Sequence, residues 1–415
     1  MALTKLTQSL IDGTLVTSVN GNTGAVTTGI DLQSSVKTSD FTAVANEGYL
    51  VNTTSSGITV TLPSSPSLGD EVLIIDYAGT FGTNNVTLTS SNNILGSSGN
   101  YVIESNDVSV ILIYTDATKG WKVKTGANEG TSAIAVPTVN VDYLVVAGGA
   151  SGGRQNAGGG GSGGLRTSYG STSGGGASAE TSLSLSLSTN YTVTIGGGGA
   201  APTSAGIGNN GSNSIFSTIT SIGGGYGFGS SGVASAGSGG SGGGAGTNYS
   251  NQASGFGSGT ANQGFDGGAR FATVNTYAGG GGGGASAAGQ ASTGLEDGGD
   301  GGNGLAVSII GSSVTYAGGG GGGGNTTVGA GGSGGGTAGG LGNGTVSDAT
   351  ANTGGGSGGT RNNVTAGNGG SGVVILRYPS SKTITVGSGL TSSTTTDGSD
   401  KVTTFTAGTD TISFS

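Results

Sequence analysis

Two uninterrupted glycine runs constrain this chain more than any other feature. Residues 277–284 read "YAGGGGGG" and residues 316–324 read "YAGGGGGGG", and each run follows a threonine. Glycine loses more backbone freedom on ordering than any other residue, so such runs are usually flexible linkers. The repeated Thr-Tyr-Ala introduction and the strand-like segments nearby favour an ordered structure instead.

The segment around these runs has the composition of a folded region. Disordered chains rely on charge and proline to stay solvated. In this chain only 8% of the residues are charged, and there are 5 prolines against 98 glycines. Collagen is excluded, because it needs glycine at every third position and abundant proline. Apolar strand-like segments also interrupt the glycines, and they are "VDYLVVAGG" (141–149), "YTVTIGGGG" (191–199), "SIFSTITSIGGG" (214–225), "LAVSIIG" (305–311) and "GVVILRYP" (372–379).

Packed polyglycine helices are the ordered structure that this composition permits. An extended helix with about three residues per turn has no internal hydrogen bonds, so its N–H and C=O groups point sideways and need neighbours. Only glycine lets backbones approach from all sides. We therefore predict that both runs are equivalent interior rods of a bundle, and that the loops between rods carry recognition. The predicted binding residues in these loops are Arg166, Tyr169, Tyr226, Phe228, Tyr249, Phe256, Phe265, Arg270, Phe271 and Arg361.

The remaining sequence predicts an all-β chain with negligible α-helix. Residues 1–30 are predicted to be an attachment segment with a hairpin at Asn20-Gly21, a pair that favours tight turns. Short alternating segments predict a β-sandwich over 31–126, with Trp121, the only tryptophan, as a core anchor. A linker (127–140), the glycine-rich domain (141–379) and a C-terminal β-hairpin (380–415) complete the prediction. The C-terminal strands are expected to pair with each other or with the strands that open the glycine-rich part.

Composition excludes several chemistries. The chain has no Cys and no His, which removes disulfides, thiolate zinc sites and a histidine base for the G-x-S-x-G match at 239–243. The net charge of -9 argues against nucleic acid, no apolar run is long enough to span a bilayer, and the N-terminus lacks a secretory signal. We expect no cofactor and no enzymatic activity.

Two acidic clusters have alternative interpretations. Glu296, Asp297 and Asp300 in "LEDGGDGGNG" form either a solvated turn, which we favour, or a calcium site. Asp397 and Asp400 in "TDGSDK" are predicted to be turn residues. No carboxylate pair suggests itself for glycoside hydrolysis, whose geometry depends on the fold.

The order of elements over residues 141–379 resembles the glycine-rich domain of tail-fibre and adhesin proteins of tailed bacteriophages. The residues that carry the resemblance are "VDYLVVAGGASGG", "GGGGSGGLRTS", "YTVTIGGGG", "GSNSIFSTITSIGGGYG", "TYAGGGGGG" and "GGSGVVILRYP". "TSVNGNTGAVT" (17–27) and the β-rich region before residue 126 are also similar to parts of phage fibres. The resemblance implies packed polyglycine helices whose tip loops contact the bacterial surface.

The same resemblance implies partners and a location. It implies a homotrimer in the virion, assembled in the host cytoplasm, with the N-terminus attached to another tail or capsid protein. The implied ligand is a host glycan or an outer-membrane protein. An architectural fibre of the capsid or neck is the alternative, and a polysaccharide depolymerase is a further one.

Overall fold

The structure of the chain is a computed structural model that divides into two compact units. The first unit comprises Met1–Pro137 and the second comprises Thr138–Ser415. Within the described residues the chain is built from β-strands and extended segments and has no α-helix, as the sequence predicts. The described residues are 29–125, 137–230, 235–247, 255–271 and 277–415, together with the backbone of two short strands before residue 24.

The two strands nearest the N-terminus form the predicted N-terminal hairpin. β1 (Ser18–Val19) and β2 (Asn22–Thr23) pair antiparallel, with Ser18 opposite Thr23 and Val19 opposite Asn22. The two residues between the strands are Asn20 and Gly21, as the turn preference of this pair predicts. Most of the predicted attachment segment, like most of the predicted linker, lies outside the described residues.

The rest of the first unit is a β-sandwich. One sheet has the strand order β11-β10-β7-β5-β3 and the other has the order β4-β6-β8-β9. The pairs β5–β7 and β6–β8 are parallel, a feature that the sequence pattern did not predict. The strands are β3 (Asp31–Leu32), β4 (Phe41–Thr42), β5 (Glu47–Val51), β6 (Ile58–Thr61), β7 (Glu71–Asp76), β8 (Val86–Thr89), β9 (Tyr101–Ile103), β10 (Ser109–Asp116) and β11 (Gly120–Thr125).

Side chains from both sheets fill the sandwich core. Along β7 buried and half-buried residues alternate, so Val72 and Ile74 point inward, as a period-two strand requires. Trp121 is completely buried and meets Tyr114 edge to face, with ring centroids 5.6 Å apart. The prediction that Trp121 anchors the core is therefore confirmed.

The second unit begins and ends in one large sheet. Its main order is β13-β12-β20-β23-β15-β16-β17, with β14 beside β12, and β21 and β22 beside β23. β18 and β19 form a separate hairpin. The strands are β12 (Thr138–Val146), β13 (Leu165–Thr167), β14 (Leu183–Ser186), β15 (Tyr191–Thr194), β16 (Ser214–Phe216), β17 (Ile219–Ser221), β18 (Leu305–Val307), β19 (Val314–Tyr316), β20 (Val373–Pro379), β21 (Ile384–Val386), β22 (Leu390–Asp397) and β23 (Asp400–Phe414).

The C-terminal strands are part of this sheet. β22 and β23 form a hairpin, and β23 also pairs with β20 and β15. The expectation that the C-terminal strands pair with each other is confirmed, and the neighbours of β23 from the glycine-rich part are β20 and β15 rather than β12, which opens that part. Buried aromatic side chains such as Tyr143, Phe216 and Phe405 form the apolar core beneath the sheet.

Extended glycine segments, here called rods, run between the strands with a three-residue hydrogen-bond repeat. In the rod 157–164, consecutive N–H groups donate to three different neighbours, and the fourth residue returns to the first neighbour. This is the repeat expected of packed polyglycine helices with three residues per turn. The donor–acceptor pairs are Gly158–Phe228, Gly159–Gly280, Gly160–Ser357, Gly161–Gly225, Ser162–Gly283 and Gly163–Gly354.

The two long glycine runs lie side by side in the interior of the bundle. Gly279 N donates to Gly323 O at 3.0 Å, and Gly282 N donates to Gly320 O at 2.8 Å, so the runs are antiparallel neighbours. Every glycine of both runs is buried. A Cβ atom on Gly282 would lie well under 3.0 Å from a backbone oxygen of the next rod, so a larger residue does not fit. The prediction that both runs are interior rods is confirmed, but the two run in opposite directions and so are not equivalent in the bundle.

Candidate functional site

The strands and the turns of the second unit lie at opposite ends of the rods. Gly164, next to β13, donates to the carbonyl of Ile222, which follows β17, whereas Gly158, at the other end of its rod, pairs with Phe228. The rod ends that are connected to strands therefore lie together at one end of the bundle, and we call this end of the bundle the sheet end. The opposite end, here called the distal end, consists of turns. The rods that are connected to a strand at the sheet end are 147–153, 157–164, 222–229, 317–324 and 365–372.

Large exposed apolar side chains of the second unit are concentrated at the distal end. Leu341 pairs with Gly324, the last glycine of the second run, and the carbonyl of Leu295 accepts a hydrogen bond from Tyr277 N at 2.7 Å. Phe271 N donates to Ser292 Oγ at 2.6 Å at the end of the rod before the first run. Within the described residues of this unit, the strongly exposed large apolar side chains are Phe256 (44%), Phe271 (40%), Leu295 (48%) and Leu341 (50%).

Such side chains are costly to leave in water, and monomeric proteins rarely group them without a function. The bundle itself has almost no side chains with which to recognise a partner. The distal end is therefore the part of the second unit that combines exposure, apolar area and varied chemistry, and it is the candidate binding site.

Three arginines add positive charge to the distal end. Arg361 Nη1 donates to Asn156 Oδ1 at 2.6 Å, and its guanidinium carbon lies 4.4 Å from the centroid of the Tyr277 ring. Arg154 donates to the carbonyls of Pro202 and Asn363 at 3.4 and 3.2 Å. Burial lowers the pKa of Arg361, because the charged form is less well solvated there.

The third arginine of this end is more enclosed. Arg270 is 7% exposed, and its Nη1 donates to Thr247 Oγ1 at 3.0 Å. Burial lowers its pKa as well. Thr247 N in turn donates to the Asn156 carbonyl, so the Arg270 and Arg361 neighbourhoods share Asn156.

Four of the predicted binding residues lie at the distal end or next to it, namely Phe256, Arg270, Phe271 and Arg361. Phe256 follows Gly255, which pairs with Ser235 where two outer rods begin. Tyr226 is half-buried in the rod that leads to the distal end. The prediction is wrong for Phe228, which is completely buried and fills the space beside Gly246, where a Cβ atom would meet its ring. The enclosure of Arg270 likewise leaves its side chain little surface to offer a partner.

Three other predicted residues lie away from the distal end. Arg166 is in β13 rather than in a loop, and its Nε and Nη2 both donate to the Glu180 carboxylate at 2.7 Å. The guanidinium carbon of Arg377 lies 5.5 Å from the centroid of the Tyr169 ring. Phe265 is half-buried, and its N–H donates to the last glycine of the first run, near the sheet end. The loop assignment of Arg166 is therefore wrong, and Tyr249 lies outside the described residues.

The ion pair between Arg166 and Glu180 is connected to the core through Glu180. Glu180 accepts a hydrogen bond from Tyr143 Oη at 2.6 Å as well as the two from Arg166. Burial alone would raise the pKa of Glu180, but the hydrogen bonds from Arg166 and Tyr143 outweigh burial and lower it. Burial and the same carboxylate raise the pKa of Tyr143. The arrangement holds β13 against the chain that follows it.

The acidic motif lies along the side of a rod. Glu296 Oε2 accepts from Thr326 Oγ1 at 3.0 Å, and Asp297 Oδ1 accepts from Thr327 Oγ1 at 2.7 Å. Asp300 Oδ1 accepts from a backbone N–H thirty residues further on. These carboxylates bind neutral donors of the next rod at regular spacing, and the described residues contain no group of three acidic or metal-binding side chains suited to a metal ion.

Asp397 and Asp400 do flank a turn, at Gly398 with a φ of 63°. They also hold Arg377, at 2.7 and 2.9 Å from its nitrogens, which the sequence pattern did not predict.

The sequence also missed several residues of the distal end, including Arg154, Asn156, Tyr277, Leu295 and Leu341. Each of them directly precedes, follows or interrupts a glycine-rich segment. That position was the signal available in the sequence, because a residue that ends a rod must lie at one of its two ends.

A comparison with known families finds a match over the glycine-rich region. The family described as a glycine-rich domain matches residues 125–379, which is more than half of the chain. The chain belongs to the glycine-rich domain family. The matched region extends from the last residue of β11 to the end of β20, and so includes the rods and both of their ends. No curated protein is significantly similar to the chain. No helix within the described ranges is long and apolar enough to cross a membrane.

Proposed function

We propose that this chain is a structural protein of a bacteriophage virion, a tail-fibre adhesin that binds the bacterial surface with the distal end of its glycine-rich domain. The single observation that supports this most directly is the gathering of Phe256, Phe271, Leu295 and Leu341 at one end of the bundle. The resemblance of residues 141–379 to phage adhesins supplies the context.

The rods suit this role because they form a stiff support. Each interior rod exchanges hydrogen bonds with neighbours on all sides, so a turn at the distal end cannot move without breaking several of them. Loops on a rigid scaffold lose less entropy when they bind than flexible loops do. In this proposal the first unit carries the attachment to the particle.

The proposed partners follow from the same role. The N-terminal segment attaches to another virion protein, the chain assembles as a homotrimer, and the bound target is a surface glycan or an outer-membrane protein. Three copies on one fibre raise the effective affinity, because binding of the second and third sites becomes intramolecular.

A binding experiment with matched variants tests the proposal. In the full-length protein, Phe256→Ser with Phe271→Ser removes two exposed aromatic side chains from the distal end. We expect binding to cells that adsorb the parent particle to fall at least about tenfold, because exposed aromatic side chains often dominate interface energy. The control is Leu68→Ser with Tyr77→Ser, which removes similarly exposed side chains (81% and 56%) from the sandwich.

The control variant should bind cells like the wild type. Equal binding by the distal variant and the wild type would contradict the proposal. Labelling the protein on the intact particle for electron microscopy distinguishes the architectural alternative, since a neck or capsid position together with no cell binding would favour a spacer.

A further inference from the structure

Four of the five arginines of the chain fall into two groups with different electrostatic environments. Arg166 and Arg377, near the sheet, form ion pairs with Glu180 and with the two aspartates of the β22–β23 turn. These carboxylates raise the pKa of both arginines. Arg154 and Arg361, at the distal end, form no ion pair with any described residue.

The acceptors around Arg154 and Arg361 are neutral. Arg154 donates to two backbone carbonyls, and Arg361 Nη1 donates to the side-chain oxygens of Asn156 and Asn362. The Nε–H groups of both arginines are buried and have no acceptor among the described residues. Each guanidinium therefore carries a charge and donors that this part of the molecule does not satisfy.

The side chain of each of these two arginines reaches the turn that contains the other arginine. Arg154 reaches the carbonyl of Asn363, and Arg361 reaches Asn156, while Asn156 N donates to the Arg361 carbonyl at 2.9 Å. The turns that contain the two cations are therefore bound to each other, and both cations belong to one surface at the distal end.

The neighbouring sequence does not supply the missing negative charge. The undescribed segments 231–234, 248–254 and 272–276, which adjoin rods that reach the distal end, contain no charged residue. Glu296 is near enough to raise the pKa of Arg361 but forms no ion pair with it in the described structure. A cationic surface thus persists on a chain whose net charge is -9.

The rest of this surface is rich in amides. Gln155, Asn362 and Asn363 lie at the surface of the same two turns, whereas Asn156 is buried between them, and the Tyr277 ring stacks on Arg361. Amide groups and an aromatic face are suited to the hydroxyls and apolar faces of sugars, and a guanidinium is suited to a carboxylate or phosphate.

We propose that the distal end binds an acidic saccharide, whose carboxylate or phosphate group is held by Arg154 and Arg361. The inference rests on the proposed function and specifies its ligand class. The cations select the anionic group, and the surrounding amides select a sugar rather than an acidic polypeptide.

The test measures binding of the full-length protein to immobilised polymers. The probes are polygalacturonate, its methyl ester, phosphorylated dextran and polyglutamate. We expect binding to polygalacturonate or phosphorylated dextran, with the preference between them identifying the anionic group. The methyl ester and polyglutamate should bind at least about tenfold more weakly, and about 0.5 M salt should weaken the binding of the acidic sugars.

Variants locate the site. Arg154→Gln with Arg361→Gln should reduce binding to the acidic saccharide at least about tenfold, because each removes a charge-assisted hydrogen bond. Lys119→Gln with Lys122→Gln removes the same charge from exposed positions of the sandwich and should change binding less than about twofold. Arg154→Lys with Arg361→Lys keeps the charge but loses the planar fork, and should have an intermediate effect.

Three results would overturn the inference. They are a failure of both polygalacturonate and phosphorylated dextran to bind more tightly than the neutral methyl ester, unchanged binding by the Arg→Gln variant, and tighter binding of polyglutamate than of either acidic saccharide. If thermal unfolding shows that the Arg→Gln variant does not fold, binding of the two acidic saccharides and of the neutral ester by the wild-type protein still tests the inference.

Cell binding separates this inference from the proposed function. If the Phe256→Ser, Phe271→Ser variant loses cell binding while the Arg→Gln variant keeps it, the adhesin proposal stands and the acidic-saccharide site does not. If both variants bind cells like the wild type, the adhesin proposal itself is contradicted.

Discussion

The two units of this chain reach a packed interior by opposite means. In the sandwich, side chains such as Trp121 and Val72 fill the space between two sheets. In the rod bundle the interior contains almost no side chains, and backbone N–H and C=O groups of adjacent rods bond to each other. One interior depends on the burial of apolar area and the other on the absence of anything beyond the backbone.

This contrast teaches that tolerance to substitution is reversed between the units. A sandwich core is damaged most by removing atoms, since a cavity remains. A glycine rod is damaged most by adding a single atom, since the neighbouring backbone occupies the space where it would go. Substitutions that remove atoms from the sandwich core and substitutions that add atoms to a glycine rod can therefore test whether the two interiors differ as described.

The largest effect is expected from a substitution in the central rod. A Cβ atom on Gly159 would lie well under 3.0 Å from the carbonyl oxygen of Gly320, which belongs to the second long glycine run. Gly159→Val should destabilise the second unit by more than about 4 kcal/mol, or prevent its folding, because the surrounding rods are fixed by their own hydrogen bonds. Calorimetric unfolding of the full-length protein measures this.

The matched control is a glycine at the surface of the same unit. Gly197 is exposed, and a Cβ atom there would meet nothing within 4 Å. Gly197→Ala should be neutral or raise the unfolding temperature slightly, because alanine restricts the unfolded chain. Equal destabilisation by both substitutions would contradict the description of the rods.

The next effect is expected in the sandwich. Trp121→Ala removes the largest completely buried side chain and should cost about 3–5 kcal/mol in the stability of the first unit. The unfolding of the second unit should not change. Tyr77→Ala, at a 56% exposed position of the same unit, is the control and should change stability by less than about 0.5 kcal/mol.

A smaller effect is expected at the ion pair of the sheet end. The pKa of Glu180 is lowered in the folded chain, so its stabilisation is present above the ordinary value of 4.5 and is lost as the pH falls through the folded value. At neutral pH, Glu180→Gln should cost about 1–2 kcal/mol, because Arg166 loses its carboxylate. Unfolding measured between pH 7 and pH 3 should show a weaker acid dependence in the variant, and an identical dependence would contradict this account.

The smallest effect on stability is expected at the distal end. Phe271 is 40% exposed, so Phe271→Ser should lower the free energy of unfolding by no more than about 1 kcal/mol. Its effect on cell binding is predicted to be much larger. A destabilisation of several kcal/mol would instead assign Phe271 to packing.

The rods were predictable from sequence because uninterrupted glycine leaves few ordered alternatives. Sheet pairing was less predictable. The period-two pattern of the sandwich shows which side chains face inward, but it does not show which strands are neighbours, so the parallel pair β5–β7 was not foreseen.

The candidate site was predicted in part, for related reasons. Phe271 and Arg361 are at rod ends in the sequence and at the distal end in the structure. Arg166 has a similar sequence context, but it belongs to a three-residue strand, and its partner Glu180 is fourteen residues away. Phe228 lies among glycines, which suggested exposure, yet the absence of a side chain at Gly246 is what allows its ring to be buried. These distinctions depend on contacts between distant segments.

The three-residue hydrogen-bond repeat limits how such a chain can change in length. Deleting or inserting one residue within a rod would rotate every following N–H group by about a third of a turn toward the wrong neighbour. Changes inside rods should therefore be confined to multiples of three, whereas the connecting turns can vary freely in length and sequence. A lineage with this architecture can replace its binding turns while its scaffold stays constant, and the same rule gives an engineer the positions at which foreign loops can be inserted.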